Sequence, residues 1–154
     1  MFFGRHERQL DAKGRVALPA AYRDELGDRC VLVFGDSRCI DVHAADAFEA
    51  RAVELRDDVK RGAATMTRQR TLAHSATPVT LDRQGRITLD ERLRDFAQIP
   101  LSSKVIVTGN VDHVELWSDA VYREFAERGV EQRSRRDRRE DVDDLIHHHR
   151  LVHE

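Results

Sequence analysis

The sequence predicts a mixed β/α fold: one strand–turn–strand–helix–hairpin unit used twice and packed about a pseudo-twofold axis. Three observations predict it. First, one short phrase is written twice, as Leu10-Asp11-Ala12-Lys13-Gly14-Arg15 and Leu81-Asp82-Arg83-Gln84-Gly85-Arg86, with identities that extend to Leu18/Leu89 and Arg23/Arg94 at a constant offset of 71. Second, each phrase runs into a short apolar alternation, Val16-Ala17-Leu18 and Ile87-Thr88-Leu89, the period of a half-buried strand. Third, Val31-Leu32-Val33-Phe34-Gly35 matches Val105-Ile106-Val107-Thr108-Gly109, and Ile40-Asp41-Val42 matches Val114-Glu115-Leu116, at an offset of 74 that implies a three-residue insertion in the second copy. A shared order of turn, helix and two strands means one supersecondary unit repeated. Each copy is too small to bury its own apolar face, because an isolated hairpin is marginal in water. The copies must therefore interleave, and their remaining exposed surfaces invite oligomers.

The elements follow in order. Asp11 to Gly14 reads as a β-turn, with Asp favoured at its first position and Gly at its fourth. Glycine also accepts the left-handed geometry that closes a bulged hairpin. Pro19 suits the start of a helix and Gly27 its end, so Pro19 to Leu26 is helical. Cys30 to Phe34 and Cys39 to Val42 are strands around a Gly35-Asp36-Ser37 turn. Asp46 is the expected N-cap of a helix carrying Phe48, Ala52, Leu55 and Val59 on one face and ending at Arg61-Gly62. Ala63 to Pro78 is polar and rich in small residues, which fits a connector with room for a short helix. The second copy repeats the order: strand and turn over Thr80 to Arg86, a return strand Ile87 to Leu89, and a helix capped by Asp90 and running through Ala97. A hairpin of Lys104 to Thr108 and Val114 to Trp117 follows, around Gly109-Asn110-Val111-Asp112-His113. Ser118 then caps a helix with Tyr122, Phe125 and Ala126 inward, closed by Gly129. The organisation is thus a first domain at 5–50, a helix and connector at 51–79, a second domain at 80–123 and a charged tail at 129–154. Val142, Leu145 and Ile146 in that tail are spaced for one more amphipathic helix.

Composition bounds the function. The chain has 154 residues, 40% hydrophobic and 35% charged, enough for a modest core under a charged surface. No run of 18 apolar residues exists to span a membrane, and the N-terminus lacks the apolar core of a secretory signal. Cys30 and Cys39 make neither a disulfide framework nor a zinc spacing, so a reducing cytoplasm is the simplest setting, with a single Cys30–Cys39 disulfide left open. No cofactor or metal site is expected. A net charge of −2 argues against a simple nucleic-acid binder. The distribution softens this, because charges beyond about 8–10 Å are screened at physiological salt and the local field decides. Arg5, His6, Arg8, Lys13 and Arg15 make the first segment basic, Lys60, Arg61, Arg68 and Arg70 lie in an acid-free stretch, and Arg133, Arg135, Arg136, Arg138 and Arg139 form a third run.

Enzyme chemistry finds little support. No nucleophile elbow, P-loop or dinucleotide fingerprint occurs. Asp11 and Asp82 sit in matching contexts and so lack the unequal pKa values that paired acid/base work needs. His147, His148, His149 and His153 cluster near the C-terminus, and a helical His pair can bind zinc, but no glutamate stands in the metalloprotease arrangement. A metal-dependent hydrolase is the weaker alternative.

The duplicated Asp-x-x-Gly-Arg turn, each followed by a short helix and a hairpin, resembles the AbrB/SpoVT-type swapped-hairpin domain. Two such domains in one chain, with Met1-Phe2-Phe3-Gly4 at the start and Glu115-Leu116-Trp117 late in the second, resemble the MraZ family of bacterial transcriptional regulators over about residues 1 to 128. The resemblance implies tandem swapped-hairpin barrels, pseudo-twofold and ring-forming. It implies a cytoplasmic, nucleoid-associated regulator, typically a repressor, that binds short direct repeats of double-stranded DNA upstream of its own division and cell-wall gene cluster. Carried over residue by residue, the DNA-contacting arginine falls on Arg15 and on Arg86. Lys13, Arg83, Gly14, Gly85 and Arg5 join the expected interface, with Asp11 and Asp82 shaping the turns. Lys13 in one turn and Arg83 in the other make the two copies unequal readers. An antitoxin-like or scaffold role is the rival within the same fold type, although such chains carry one copy and a long acidic tail.

Arginine suits the task because its planar fork makes bidentate contacts with phosphate or guanine. Asp11 and Asp82 would repel phosphate, so they are expected to cap backbone N–H groups or orient the arginines. The alternative is a merely structural Asp–Arg bridge in each turn.

Overall fold

The computed structural model describes residues 1–128. Met1–Val121 forms one compact unit. Its first copy contains β1 (Arg5–Gln9), β2 (Arg15–Ala17), α1 (Ala20–Leu26), β3 (Arg29–Phe34) and β4 (Ile40–Ala44). Two helices follow, α2 (Ala45–Lys60) and α3 (Met66–Ser75). The second copy contains β5 (Thr77–Thr80), β6 (Arg86–Thr88), α4 (Glu91–Ala97), β7 (Lys104–Asn110) and β8 (His113–Ser118), and α5 (Asp119–Val121) comes after it. A π-helix spans Tyr122–Glu127. Gly129 and the tail expected at 129–154, with its basic run, its histidines and its expected helix, lie outside the described residues.

The strands exchange between copies. One sheet has the order β1-β7-β8-β4-β3-β5 and a second, two-stranded ribbon pairs β2 with β6. Each copy's first strand therefore adds to the other copy's hairpin, antiparallel in both cases. The order reads the same from either end once the copies are interchanged, as a pseudo-twofold requires. The axis can be located: Asp41 pairs with Glu115 across β4–β8, and Val16 pairs with Ile87 across β2–β6. Each is a residue facing its own counterpart.

The sheet's two faces have different covers. Leu32, Ile40, Val42, Val105, Val107, Val114 and Leu116 join Val16 and Ile87 of the ribbon, Leu18 and Leu89 just after its strands, and Leu93, Ala97 and Ile99 around α4 in one core. Alternation turns Val31, Asp41 and His43 to the opposite face, where the His43 ring lies 6.3 Å from Phe48 of α2. Burial at about 25 cal/mol per Å² of apolar surface holds the interleaved copies together, since neither retains a closed sheet alone.

Several expectations are corrected. The hairpins align at an offset of 75, not 74, over β3 and β7: Thr80 pairs with Arg29 and Gln9 with Lys104. The Val-Leu-Val and Val-Ile-Val runs are buried on both faces, so the alternation that normally exposes a one-residue slip is missing. The offset returns to 74 at Asp41 and Glu115 because the second hairpin is tighter. There β7 and β8 extend until Asn110 pairs with His113, leaving Val111 and Asp112 as the turn. The α2 helix starts at Ala45 after a cap position, Ala44, that supplies no side-chain bond, so Asp46 lies in the first turn and does not cap it. The connector is mostly helix: Thr65 caps α3 by accepting from the Arg68 N–H at 3.1 Å, and Pro78 already belongs to β5, an edge strand where a missing N–H is tolerated. Pro19 occupies the cap position of α1, one residue before the helix, whereas Asp90 caps α4 with its side chain on the Leu93 N–H at 2.9 Å. Ser118 accepts from the Val121 N–H at 3.0 Å, as expected of a cap. Both cysteines are free and buried.

Candidate nucleic-acid interface

The ribbon positions the repeated turns. Val16 and Ile87 are 0% and 1% exposed, so alternation turns Arg15 and Arg86 to the other side, together and away from the core. Arg15 stands opposite Thr88 and Arg86 opposite Ala17, which makes the two arginines diagonal cross-strand neighbours on one face of the ribbon. The pseudo-twofold passes between them.

Each turn is closed in the same way. The Gly14 N–H donates to the Asp11 carbonyl at 3.1 Å and the Asp11 N–H to the Arg15 carbonyl at 2.9 Å; the Gly85 and Asp82 bonds measure 2.9 and 3.0 Å. The acid then organises the rest. Asp11 Oδ1 accepts from the Lys13 and Arg15 N–H groups at 2.9 Å each, and its Oδ2 accepts from Arg15 Nε at 2.7 Å. Asp82 does the same for Gln84 N, Arg86 N and Arg86 Nε at 2.9, 2.9 and 2.8 Å. Both roles considered for the acids are therefore filled at once: capping the turn and orienting the arginine. The backbone N–H of Arg15, more than any other partner, holds the Asp11 carboxyl down at about 2, and that of Arg86 lowers Asp82 in the same manner. Both carboxylates are thus ionised at neutral pH. The Asp–Arg bridge does not consume the guanidinium, because among the described residues the bonds engage Nε and leave the Nη groups of Arg15 and Arg86 without a hydrogen bond.

Gly14 and Gly85 have φ of 79° and 71°, the left-handed region that a side chain disfavours. Their carbonyls also tie the copies together: the Leu89 N–H donates to Gly14 at 2.8 Å and the Leu18 N–H to Gly85 at 3.0 Å. Lys13 and Arg83 sit exposed at the turn tips. Arg5 is not brought to the ribbon. It lies in β1, with Nη2 3.6 Å from Glu7. The Arg68 and Arg70 cluster is on α3, a helix that packs over β3 on the α2 side of the sheet. Two residues that sequence reasoning noticed without assigning a role prove to be supports. Arg23 of α1 reaches the Gln84 carbonyl at 3.5 Å, and its counterpart Arg94 of α4 donates to the Leu89 carbonyl at 3.1 Å beside Gly14. Each helix thus backs the other copy's turn, and the shared Arg23/Arg94 identity was the available signal.

The described residues contain no helix long and apolar enough to cross a membrane. The chain matches the model of a family described as "MraZ protein, putative antitoxin-like" twice in succession, over residues 1–70 and 72–145. Among curated proteins it is similar to "Transcriptional regulator MraZ" of Cutibacterium acnes, 34% identical over 82% of this chain and 88% of that one. The protein of the same name from Corynebacterium jeikeium is 36% identical, with 82% and 87% covered. That of Thermoanaerobacter pseudethanolicus is 36% identical at the same coverage.

Proposed function

The chain belongs to the MraZ family, and from that premise we propose that it is a transcriptional regulator that grips double-stranded DNA with the β2–β6 ribbon. The observation that carries this reading is the pair of acid-oriented arginines, Arg15 and Arg86, set on one outward face with their Nη groups available. A two-stranded ribbon fits the major groove, which is about 12 Å wide, and arginine there reads guanine O6/N7 or holds phosphate. The orienting acids place the forks before DNA arrives, which lowers the ordering cost of binding. Lys13 and Arg83 extend the contact at the two tips with different side chains.

The regulator acts on the cell-division and cell-wall gene cluster that includes its own promoter, as a repressor, from the cytoplasm and nucleoid. Two copies at 5–50 and 80–123, joined through 51–79, give one ribbon per chain. A homo-oligomeric ring presents several ribbons to short direct repeats, and such linkage raises avidity by roughly 10²–10⁴. This offsets the slightly acidic net charge. Phe3 and Val111, 64% and 48% exposed, supply apolar surface for self-association beside the Phe2–Val111 bridge.

The test is binding of the full chain to the DNA upstream of its own gene across a salt series. Specific retention with a log–log slope of about −0.9 per phosphate neutralised is expected. A flat salt series, or equal retention of a scrambled fragment, refutes the reading. Copurification of a small partner protein, with no retention of DNA, supports the antitoxin-like alternative instead.

A further inference from the structure

We propose that the cleft between α3 and the start of α4 binds a small phosphate monoester, held by Arg70, His74 and Arg92. The α3 helix, Met66–Ser75, contains no acid. Thr67, Arg70, Thr71 and His74 are spaced i, i+3, i+4 and i+7, so they share one of its faces. On most surface helices that spacing marks an apolar stripe packed on a core. Here the stripe is polar, and with Arg92 of α4 and Phe34 of β3 it lines a cavity of about 430 Å³. No carboxylate is among the lining residues, in a chain whose 28 acids outnumber its 26 lysines and arginines. Among the described residues Arg70, His74 and Arg92 form no ion pair either, so the cleft gathers cations without a counter-ion.

The walls of the cleft are fixed from below. Ser75 is 1% exposed; its hydroxyl donates to the Thr71 carbonyl at 2.7 Å and accepts from the Phe34 N–H at 3.1 Å, which pins the last turn of α3 to β3. Arg92 donates from Nη2 to the His74 carbonyl, and its guanidinium carbon lies 5.4 Å from the Phe34 ring centroid. Phe34 in turn stacks on Phe96 with centroids 3.9 Å apart. The Arg92 fork is therefore placed before a ligand arrives, which lowers the ordering cost of binding. Thr71 spends its hydroxyl proton on the Thr67 carbonyl at 3.0 Å, so the hydroxyl left to donate is that of Thr67. The Arg70 side chain has no hydrogen-bond partner among the described residues and is free to close on a ligand.

A phosphate monoester suits this set of donors. Its terminal oxygens are all acceptors, and arginine meets them with two parallel N–H groups. The imidazole of His74 and the hydroxyl of Thr67 supply further donors from the same helix face. The cavity falls within the size range of small-molecule sites, roughly 300–1,000 Å³, and so has room for an organic body beyond the phosphate. The Phe34 ring and the aliphatic stems of Arg70 and Arg92 give that body an apolar wall. The α3 helix joins the two copies and belongs to neither, so the repeat that builds the DNA-facing ribbon does not account for this cluster.

The experiment titrates the full chain with phenyl phosphate by calorimetry at physiological salt, with inorganic phosphate and phenol as the two halves of the probe. The expected result is saturable binding of phenyl phosphate at one site per chain, tighter than that of inorganic phosphate, with none of phenol. Arg92→Gln should weaken it roughly tenfold or more, as loss of a charge-assisted hydrogen bond implies. Arg92 also ties α4 to α3, so Arg70→Gln, which gives up no hydrogen bond within the protein, is the second variant and should weaken binding as much. The Arg15→Ala/Arg86→Ala variant should bind phenyl phosphate as the wild type does. Absence of saturable binding in the folded wild type overturns the proposal, and so does wild-type affinity in Arg70→Gln. Loss of binding in the Arg15→Ala/Arg86→Ala variant overturns it too, by moving the anion to the ribbon. Retention of duplex DNA that falls in Arg70→Gln, with no uptake of phenyl phosphate, overturns it in favour of a DNA backbone phosphate in the cleft.

Discussion

Gly14 of the first copy is clamped against Leu89 of the second: the Leu89 N–H donates to the Gly14 carbonyl at 2.8 Å, and a Cβ on Gly14 would stand 2.9 Å from the Leu89 carbonyl oxygen. The obstacle is backbone and cannot swing away. At Gly85 the corresponding Cβ would meet Arg23, at 2.2 Å from Nη1 and 2.3 Å from Cδ, a flexible side chain that can move. Both positions carry left-handed strain of about 1–2 kcal/mol for a residue with a Cβ. Gly14→Ala should therefore lose roughly 2–4 kcal/mol of unfolding free energy once the clash is added, and Gly85→Ala about 1–2. Urea denaturation of the two variants checks the order, and equal losses would contradict it.

Strand exchange has a direct consequence. A protease site inserted between Gly62 and Ala63, in the turn after α2, should yield a nicked protein that still elutes as one folded species. Each half supplies the strand that adds to the other half's hairpin, β1 to β7 and β5 to β3, and so depends on the other half for cover. Separated by denaturant, the fragments should show little circular dichroism alone and regain it on mixing. Fragments that fold independently would refute the interleaved architecture.

Asp11 titrates far below its ordinary range. Its folded pKa of about 2 lies below the unfolded value of about 3.9. The contribution is therefore present above the unfolded pKa and lost as pH falls through about 2. The carboxyl is exposed, so solvent screening keeps the global effect small, and the readout should be local. Carboxyl NMR should give the low value for Asp11. Arg15→Ala should raise it only part of the way, because the Arg15 backbone N–H, the largest cause, remains. A full return to the ordinary value would mean that the guanidinium alone holds the acid down.

The orienting acids give a test that separates two effects. Removing Asp11 deletes a charge that repels phosphate, and it also releases the Arg15 fork. If orientation dominates, Asp11→Ala weakens DNA binding by roughly three- to tenfold, up to about 1.4 kcal/mol. Tighter binding on a filter or gel assay would show that repulsion dominates.

Much of this was legible in the chain. The turn chemistry of Asp11 and Gly14, and of Asp82 and Gly85, follows from local propensity, and the two copies act on it alike. The pseudo-twofold follows from the offset. What escaped had physical reasons. The β3 and β7 strands are apolar on both faces, so their register slipped by one. The α3 helix is polar, with an apolar face too narrow to stand out. The cleft beside α3 is assembled by residues far apart in sequence, and only the packing of the elements brings Arg70 and His74 beside Phe34 and Arg92. Arg5 looked like part of the basic first segment, but β1 carries it to the edge of the other sheet.

In the proposed complex the Nη groups of Arg15 and Arg86 bind DNA from a ribbon whose acids hold them in place. The most direct measurement is the affinity of Arg15→Ala and of the Arg15→Ala/Arg86→Ala double variant for the upstream DNA, at fixed salt, with Tm and oligomer size measured alongside. The expected result is at least a tenfold loss for Arg15→Ala, a further loss for the double variant and a shallower salt dependence, with fold and assembly kept. Wild-type affinity in a folded double variant would contradict it.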